Sequence, residues 1–183
     1  DTITVLGSTP ASRATILGDS GSMTMSNSGT LLSIESSTPV SGARDVITLS
    51  SGVNTVIGGA GKDEISAGAG TNTILGDDGK ATFFDNGDLK LIESTNLGSG
   101  DVDTITLSDG TNTVIAGAGN DIINIGGGTN VVLGDEGKRE VLTDANGVAT
   151  GTTTIASLNA SNGGDDTINV GPGINIVVGG AGT

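Results

Sequence analysis

The feature of this sequence that most limits its possible folds is an internal repeat of 58 residues. The segment Gly18–Gly21 reads GDSG, and it returns as GDDG at Gly76–Gly79 and as GDEG at Gly134–Gly137, each time 58 residues later. Chains with such self-similarity build their core by stacking equivalent units, because one unit alone cannot bury its own apolar side chains. We therefore predict one continuous solenoid rather than separate globular domains.

The repeat divides the chain into four parts. We assign residues 1–17 to a degenerate partial repeat, 18–75 to repeat 1, 76–133 to repeat 2 and 134–183 to repeat 3. The third repeat is truncated and carries a five-residue insertion around Gly147–Gly151. All four parts are expected to belong to the same solenoid.

A shorter period of nine residues lies inside the longer one. Residues 58–66 read GGAGKDEIS and residues 116–124 read AGAGNDIIN, and both follow the pattern G-G-x-G-x-D-x-U-x, where U is a large aliphatic residue. Neighbouring windows keep this register, with Asp and Asn alternating at position six. The aspartates are Asp45, Asp63, Asp103, Asp121 and Asp166. The asparagines are Asn54, Asn72, Asn112, Asn130 and Asn175.

Each window combines a glycine-rich turn with a short strand. Glycine permits positive φ angles and close stacking of backbone on backbone, and triplets such as TIT and TVI are rich in β-branched residues, which favour strands. Two windows then make one coil with two strands. We predict an all-β fold, a parallel β-roll or β-solenoid of stacked 18-residue coils organised in 58-residue super-repeats.

The consecutive windows resemble the RTX, or haemolysin-type calcium-binding, nonapeptide repeats of secreted bacterial proteins such as giant adhesins. The resemblance covers roughly residues 40–75, 98–133 and 161–183. It implies that Ca²⁺ is bound by the position-six carboxylates and by carbonyl groups of the turns. The implied carboxylate ligands are Asp45, Asp63, Asp103, Asp121 and Asp166, and the implied carbonyl ligands are Gly59, Gly61, Gly117 and Gly119.

Elementary electrostatics supports the same cation. Aspartates 18 residues apart, such as Asp45 and Asp63 or Asp103 and Asp121, should lie on adjacent coils about 4.8 Å apart. Unpaired carboxylates at that spacing repel each other, and a divalent ion removes the repulsion. Ca²⁺ accepts six to eight oxygen ligands in flexible geometry, whereas Mg²⁺ demands a stricter octahedron. The alternative is that these aspartates only cap turns through local hydrogen bonds.

Residues 76–97 depart from the nonapeptide pattern. The runs ATFF and LKLI on either side of DNGD predict two strands joined by a tight turn. They form either one more coil or a hairpin that projects from the rod, and we favour the coil. In such a coil position six would fall on Ala81 and Arg139, so that Arg139 could itself serve as an internal cation. The acids nearby that could replace the missing carboxylate are Asp19, Asp77, Asp78, Asp135 and Glu136.

The windows with Asn at position six predict a different edge of the coil. Neutral amides cannot balance a cation, but a stacked ladder of amides can hydrogen-bond to the turn backbone from coil to coil. The threonines beside the asparagines form a polar array that could instead bind a ligand. These windows also place an aliphatic residue at position nine, and the resulting stripe consists of Ile57, Leu75, Ile115, Leu133 and Val178.

An apolar stripe on the outside of a rod usually marks a contact surface. We expect it to pack against another rod, through lateral or end-to-end self-association, or against a folded-back insert of the same chain. The alternative is a thicker core that contains both position eight and position nine.

Composition excludes several classes of function. The chain has neither Cys nor His, which excludes zinc fingers, thiol nucleophiles and Ser-His-Asp triads. Its 21 acidic and 7 basic residues give a net charge of −14, which disfavours nucleic acid as a partner. No apolar run approaches the roughly 20 residues of a membrane-spanning helix, so we expect no membrane insertion.

The function expected from these observations is structural. We predict a calcium-stabilised tandem-repeat segment of a secreted or cell-surface protein, such as an adhesin stalk, a surface layer or a filament. By resemblance it would leave the cell by type I secretion and fold outside, where calcium is abundant. We expect no enzyme activity in this segment, because no nucleophile–base pair is visible. The alternatives are a folding and secretion module attached to a secreted enzyme, or a module that binds sugar or another surface.

Overall fold

The protein is an all-β molecule in a computed structural model that describes residues 1–7, 9, 11–37, 42–159 and 163–182. These residues contain eighteen strands and no helix. In this part of the chain there is accordingly no helix of the length and apolarity needed to cross a membrane. The predicted all-β class is confirmed.

The eighteen strands are short and follow one another with few intervening residues. In chain order they are β1 (Thr2–Val5), β2 (Arg13–Leu17), β3 (Gly21–Met25), β4 (Leu31–Ser36), β5 (Val46–Leu49), β6 (Gly52–Ile57), β7 (Glu64–Ala67), β8 (Gly70–Leu75), β9 (Gly79–Phe83), β10 (Leu89–Ser94), β11 (Thr104–Leu107), β12 (Gly110–Ile115), β13 (Ile122–Ile125), β14 (Gly128–Leu133), β15 (Gly137–Thr143), β16 (Ala149–Ser157), β17 (Thr167–Val170) and β18 (Gly173–Val178).

Two of the three sheets are parallel and form the stacked coils. The aspartate sheet, whose strands follow the position-six aspartates, has the order β1-β5-β7-β11-β13-β17. The asparagine sheet, in which five of the six strands contain a position-six asparagine, has the order β18-β14-β12-β8-β6-β2. Equivalent residues pair directly, as Ile47 does with Ile65 and Asn54 with Asn72, so each coil advances by one strand in both sheets. The predicted β-solenoid of 18-residue coils is confirmed.

The third sheet consists of hairpins, and it corrects the prediction for residues 76–97. Strands β9 and β10 pair antiparallel with each other, as do β3 with β4 and β15 with β16. These hairpins join side by side in the order β16-β15-β10-β9-β4-β3, which we call the hairpin sheet. The favoured extra coil was therefore wrong. Each 58-residue repeat contains two coils and one hairpin, and the hairpins pair with each other instead of projecting singly.

Turn chemistry and apolar patterning explain the hairpin. The turn Asp85–Gly87 contains Asn86 and a glycine with φ of 87°, a left-handed conformation that glycine adopts without strain. In the strands, alternate residues such as Ala81 and Ile92 are fully buried, whereas Lys80 and Glu93 form an ion pair on the other face. A chain with this alternation needs a partner layer for one face only.

The molecule has two apolar cores, one on each side of the asparagine sheet. The inner core lies inside the coils and includes Ile65 and Ile123 from the aspartate sheet and Val114 from the asparagine sheet. The outer core lies between the asparagine and hairpin sheets and includes Leu75 and Ile92. Neighbouring residues of an asparagine-sheet strand thus face different cores, which explains its consecutive aliphatic residues.

The residues of the apolar stripe pack in the outer core. Four of its five residues, Ile57, Leu75, Ile115 and Leu133, are at most 1% exposed, and Val178 is partly buried in the same cluster. The stripe therefore packs against a folded-back insert, which was one of the two expected partners. It is not available for lateral self-association with a second rod, and that expectation is corrected.

Truncation of a side chain in the outer core should separate a shared core from a loosely attached hairpin. We expect Ile92→Ala to lower the free energy of unfolding by about 2–5 kcal/mol, because the fully buried side chain leaves a cavity between two sheets. The matched control is Ile174→Ala, since Ile174 is 69% exposed. Urea unfolding followed by circular dichroism in calcium would measure both. Equal, small losses in the two variants would contradict the shared core.

Candidate metal centre

The position-six aspartates form one continuous column along the turns that lead into the aspartate sheet. From Asp63 onward, each carboxylate accepts, through Oδ1, the backbone N–H of the aspartate on the preceding coil, and Asp45 accepts the N-terminal amino group of Asp1. The donors and acceptors are Asp45 to Asp63 (2.8 Å), Asp63 to Asp103 (2.7 Å), Asp103 to Asp121 (2.7 Å) and Asp121 to Asp166 (2.9 Å). The column has no gap, because the hairpin between Asp63 and Asp103 leaves the stacking of the coils unbroken.

The second carboxylate oxygen is what makes this column a candidate site. The Oδ2 atoms of all five aspartates are shielded from solvent and have no hydrogen-bond partner among the described residues. Four of the five side chains belong to residues that are at most 2% exposed, and Asp166 is half-buried. A buried carboxylate oxygen without a donor carries the full cost of losing its water. Such a group requires a proton or a cation.

Glycines beside the column create room for an ion. The α-carbons of Gly18, Gly58, Gly76 and Gly134 lie against the Oδ2 atoms of Asp45, Asp63, Asp103 and Asp166, respectively. A Cβ at each glycine would collide with that oxygen and also with a backbone carbonyl oxygen. The carbonyls belong to Gly58, Gly76, Ala116 and Gly179. Each hollow thus brings a carboxylate oxygen and a carbonyl oxygen together, which suits a hard cation with oxygen ligands.

The pKa values of the column show how unfavourable the bare charges are. Burial raises the pKa from 3.8 to about 7 in Asp63 and Asp121, to about 10 in Asp103 and to about 6 in Asp166. Loss of solvation is the largest cause, and nearby carboxylates such as Asp77 add to it in Asp103. The N–H donated to each carboxylate opposes the rise. Bound cations would offset this rise by supplying positive charge beside the carboxylates.

The glycines predicted to supply carbonyl ligands lie in the same turns. Gly59, Gly61, Gly117 and Gly119 all have φ between 101° and 138°, a conformation that other residues rarely adopt. The carbonyl oxygens described above, those of Gly58, Gly76, Ala116 and Gly179, belong to other residues. Ligation by these four glycines stays a prediction. The sequence pattern located the glycine-rich turns, but it did not single out the carbonyl groups of Gly58, Gly76, Ala116 and Gly179.

A second group of acids lies where the hairpins leave the coils. Asp19 accepts the Ala60 N–H (2.9 Å), and Asp77 accepts the Ala118 N–H (2.7 Å). Asp135 accepts the N–H groups of Gly164 (2.8 Å) and Ala181 in the same way. These carboxylates tie each hairpin base to turns of neighbouring coils through backbone donors.

Asp78 and Glu136 differ from these three acids. Each is at most 3% exposed and has one oxygen without a partner in the described part of the chain. Their other oxygens accept hydrogen bonds from the side-chain amide of Asn96 and the backbone N–H of Gly98, respectively. Each of these two residues thus has a buried oxygen that a cation could bind, and metal binding by Asp19, Asp77 and Asp135 stays a prediction.

The predicted vacancies at Ala81 and Arg139 do not exist. They rested on the extra coil, whereas both residues lie in strands of the hairpin sheet. Ala81 is fully buried in the outer core. Arg139 therefore does not occupy a gap between carboxylates, and no substitute acid is needed in the column.

The asparagine edge is a hydrogen-bonded ladder. The Nδ2 atom of each asparagine donates to the Oδ1 atom of the next at 2.8 Å, from Asn54 through Asn72, Asn112 and Asn130 to Asn175. Each Nδ2 also donates to the carbonyl of the residue four positions earlier, for example Asn72 to Gly68 (3.1 Å). A ladder is present, but its bonding differs from the prediction. The bonds between coils join amide to amide, and the amide-to-backbone bonds lie within each turn.

Side-chain ligands alone are too few for a complete coordination sphere. In the residues that the structure describes, no three or more His, Cys, Asp or Glu side chains converge as a metal-binding group. An ion in the column would therefore take most of its oxygens from backbone carbonyls. That requirement favours Ca²⁺, which accepts carbonyl oxygens and variable geometry, over Mg²⁺.

Comparison with known proteins agrees with this chemistry. The family described as "RTX calcium-binding nonapeptide repeat (4 copies)" matches residues 48–82, 97–137 and 161–183, which together make up more than half of the chain. No curated protein and no solved structure showed significant similarity to the chain.

One substitution in the column should show whether the buried side chain of Asp103 requires a cation or only a hydrogen bond. In Asp103→Asn the side-chain oxygen can still accept the Asp63 N–H, and the new amide can donate toward the Ala116 carbonyl. We expect the calcium-free chain to gain about 1–3 kcal/mol in the free energy of unfolding, and the additional stability conferred by calcium to shrink. Asp85→Asn, at an exposed hairpin turn, controls for the lost charge. Identical thermal-unfolding curves for the two variants would contradict this.

The raised pKa values also predict how pH affects the calcium-free chain. Between the unfolded pKa, about 3.9, and the folded values, the folded chain binds more protons than the unfolded chain. The free energy of unfolding should therefore fall as pH rises from about 5 to about 8. In calcium the trend should weaken or reverse, because the ion displaces those protons. Thermal unfolding at several pH values, with and without calcium, would test this. A calcium-free stability that increases with pH would contradict it.

Proposed function

Because the chain belongs to the RTX calcium-binding nonapeptide repeat family, we propose that it is a calcium-stabilised structural segment of an adhesin stalk, surface layer or extracellular filament. The repeats of this family bind calcium and occur in proteins secreted by type I secretion, which indicates an extracellular location. The observation that carries the proposal is the column of five carboxylates, each with a solvent-shielded oxygen that has no partner among the described residues.

We propose that Asp45, Asp63, Asp103, Asp121 and Asp166 bind the calcium ions together with carbonyl groups of the glycine-rich turns. The unpartnered oxygens and the glycine hollows support this assignment. Asp78 and Glu136 are proposed as further ligands at the hairpin bases, because each has a free buried oxygen by the same measure.

Calcium would then control when the segment folds. With a net charge of −14 and 33 glycines, the calcium-free chain pays both electrostatic repulsion and a large conformational entropy on folding. Binding energy released by the ions at the column is folding energy. Extracellular calcium modules have dissociation constants of about 10⁻⁴–10⁻³ M, so the chain would stay open inside the cell and fold after export.

The repeating architecture supports a role as a spacer or fibre. Coils add along one axis with the same register from β1 to β17, and the hairpins follow the same direction. Length can therefore be increased by adding repeats without a change of fold. End-to-end association of segments remains a prediction, as does the division into repeats at residues 18, 76 and 134.

Calcium titration of the chain would test the proposed function. At about pH 8, where the calcium-free chain is expected to be least stable, far-UV circular dichroism should show a disordered spectrum in chelator and a β spectrum in calcium. The midpoint should lie near 10⁻⁴–10⁻³ M, and magnesium should be much less effective. Small-angle scattering should show an extended, disordered chain in chelator and a compact rod in calcium.

A matched pair of triple variants would locate the ions. Asp63→Asn, Asp103→Asn and Asp121→Asn together should abolish the calcium-induced transition. Asp85→Asn, Asp88→Asn and Asp144→Asn remove the same charge at exposed hairpin tips and should leave the transition in place. A full transition in the column variant, or none in the parent chain, would overturn the proposal.

A further inference from the structure

A groove of about 890 Å³ lies between the tips of two hairpins and the outer face of the asparagine sheet. Its floor is a row of threonines, Thr71, Thr73, Thr111 and Thr113. Its walls come from the β9–β10 and β15–β16 hairpins and include Phe83, Leu89, Val141 and Val148. The volume lies within the range of small-molecule sites, which combine mostly apolar walls with a few polar groups.

Arg139 is the unusual residue of this groove. It lines the cavity, and in strand register it lies between Ile92 and Ile155, both of which pack in the outer core. Its Nη1 atom is shielded from solvent and has no hydrogen-bond partner within the described ranges. Burial also lowers the pKa of the guanidinium. A cation in an apolar layer without a partner costs stability.

The other repeats show that the fold does not need this cation. The residues 58 and 116 positions earlier are Ala81, which is fully buried, and Met23. Both are apolar, so the hairpin sheet accepts an uncharged residue at this position. The unpartnered guanidinium of Arg139 in repeat 3 therefore lowers stability, and nothing in the described part of the chain offsets that loss.

The mouth of the groove limits the charge of a ligand. Asp85 and Asp88 line it, and Asp88 accepts a hydrogen bond from Asn86 (2.7 Å). The Lys90 ammonium lies 5.7 Å from the centre of the Phe84 ring. The half-buried Arg139 and the Lys90 ammonium share the groove with two carboxylates. In a chain of net charge −14, this balance favours a single negative charge over a polyanion.

We propose that this groove binds a small organic monocarboxylate. The planar guanidinium of Arg139 would pair with the carboxylate, a geometry that arginine provides in two parallel hydrogen bonds. The body of the ligand would lie between the Phe83 and Val141 side chains and the threonine hydroxyls of the floor. This activity is separate from calcium binding, because the groove and the aspartate column lie at different sheets.

Ligand titrations of the calcium-loaded chain would test the site with two carboxylates of different bodies and their neutral counterparts. The probes are glucuronate against glucose, and phenylacetate against phenylacetamide, followed by isothermal titration and saturation-transfer NMR. At least one acid should bind about tenfold or more tightly than its neutral partner. Glucuronate alone would indicate a hydroxyl-bearing ligand, and phenylacetate alone an apolar one, and both results support the proposal.

Variants then assign the binding to Arg139. Arg139→Met should lose at least tenfold in affinity for the acid while its melting temperature stays equal or rises, since Met23 occupies the equivalent position in repeat 1. Arg44→Met, which removes the same charge at an exposed ion pair with Glu64, should bind as the parent does. Absence of binding by both acids, equal binding of acid and neutral partner, or unchanged binding by Arg139→Met would each overturn the proposal.

Discussion

The structure depends on the column aspartates, whose carboxylates are stacked one above another in turns that are largely shielded from solvent. Each column aspartate satisfies one oxygen with the N–H of the preceding coil, and this hydrogen bond fixes the register of successive coils. The other oxygen has no donor among the described residues. Four of the five aspartates consequently show pKa values raised by burial, up to about 10 in Asp103. The arrangement that aligns the coils therefore also creates the demand for cations.

The two edges of the coil hold successive coils together in different ways. On the asparagine edge, neutral amides donate and accept at 2.8 Å, as between Asn72 and Asn112, so that edge is complete without an ion. On the aspartate edge, the same spacing leaves charge uncompensated. Under the proposed assignment, calcium would be needed at one edge only, while the inner and outer apolar cores contribute in either condition.

Contacts between equivalent positions of the repeat could be predicted from the sequence, whereas contacts between different sheets could not. The nine-residue period gave the Asp and Asn columns, because each contact joins equivalent positions of adjacent coils. The hairpin was the less favoured alternative because 22 residues are close to one coil of 18. The alternation at Ala81 and Ile92 becomes interpretable only once the apolar stripe that it covers is known. The position of Arg139 over the threonine floor arises from the packing of two sheets, which no local pattern contains.

The third sheet has a mechanical consequence. Two parallel sheets alone would make a thin ribbon that flexes easily across its flat direction, whereas a third layer beside Leu75 and Ile115 thickens the cross-section. Resistance to bending grows steeply with thickness, so these hairpins act as a rib along the long axis. Because β4 pairs with β9, and β10 with β15, that rib is continuous from one repeat to the next and carries tension or compression through its own hydrogen bonds.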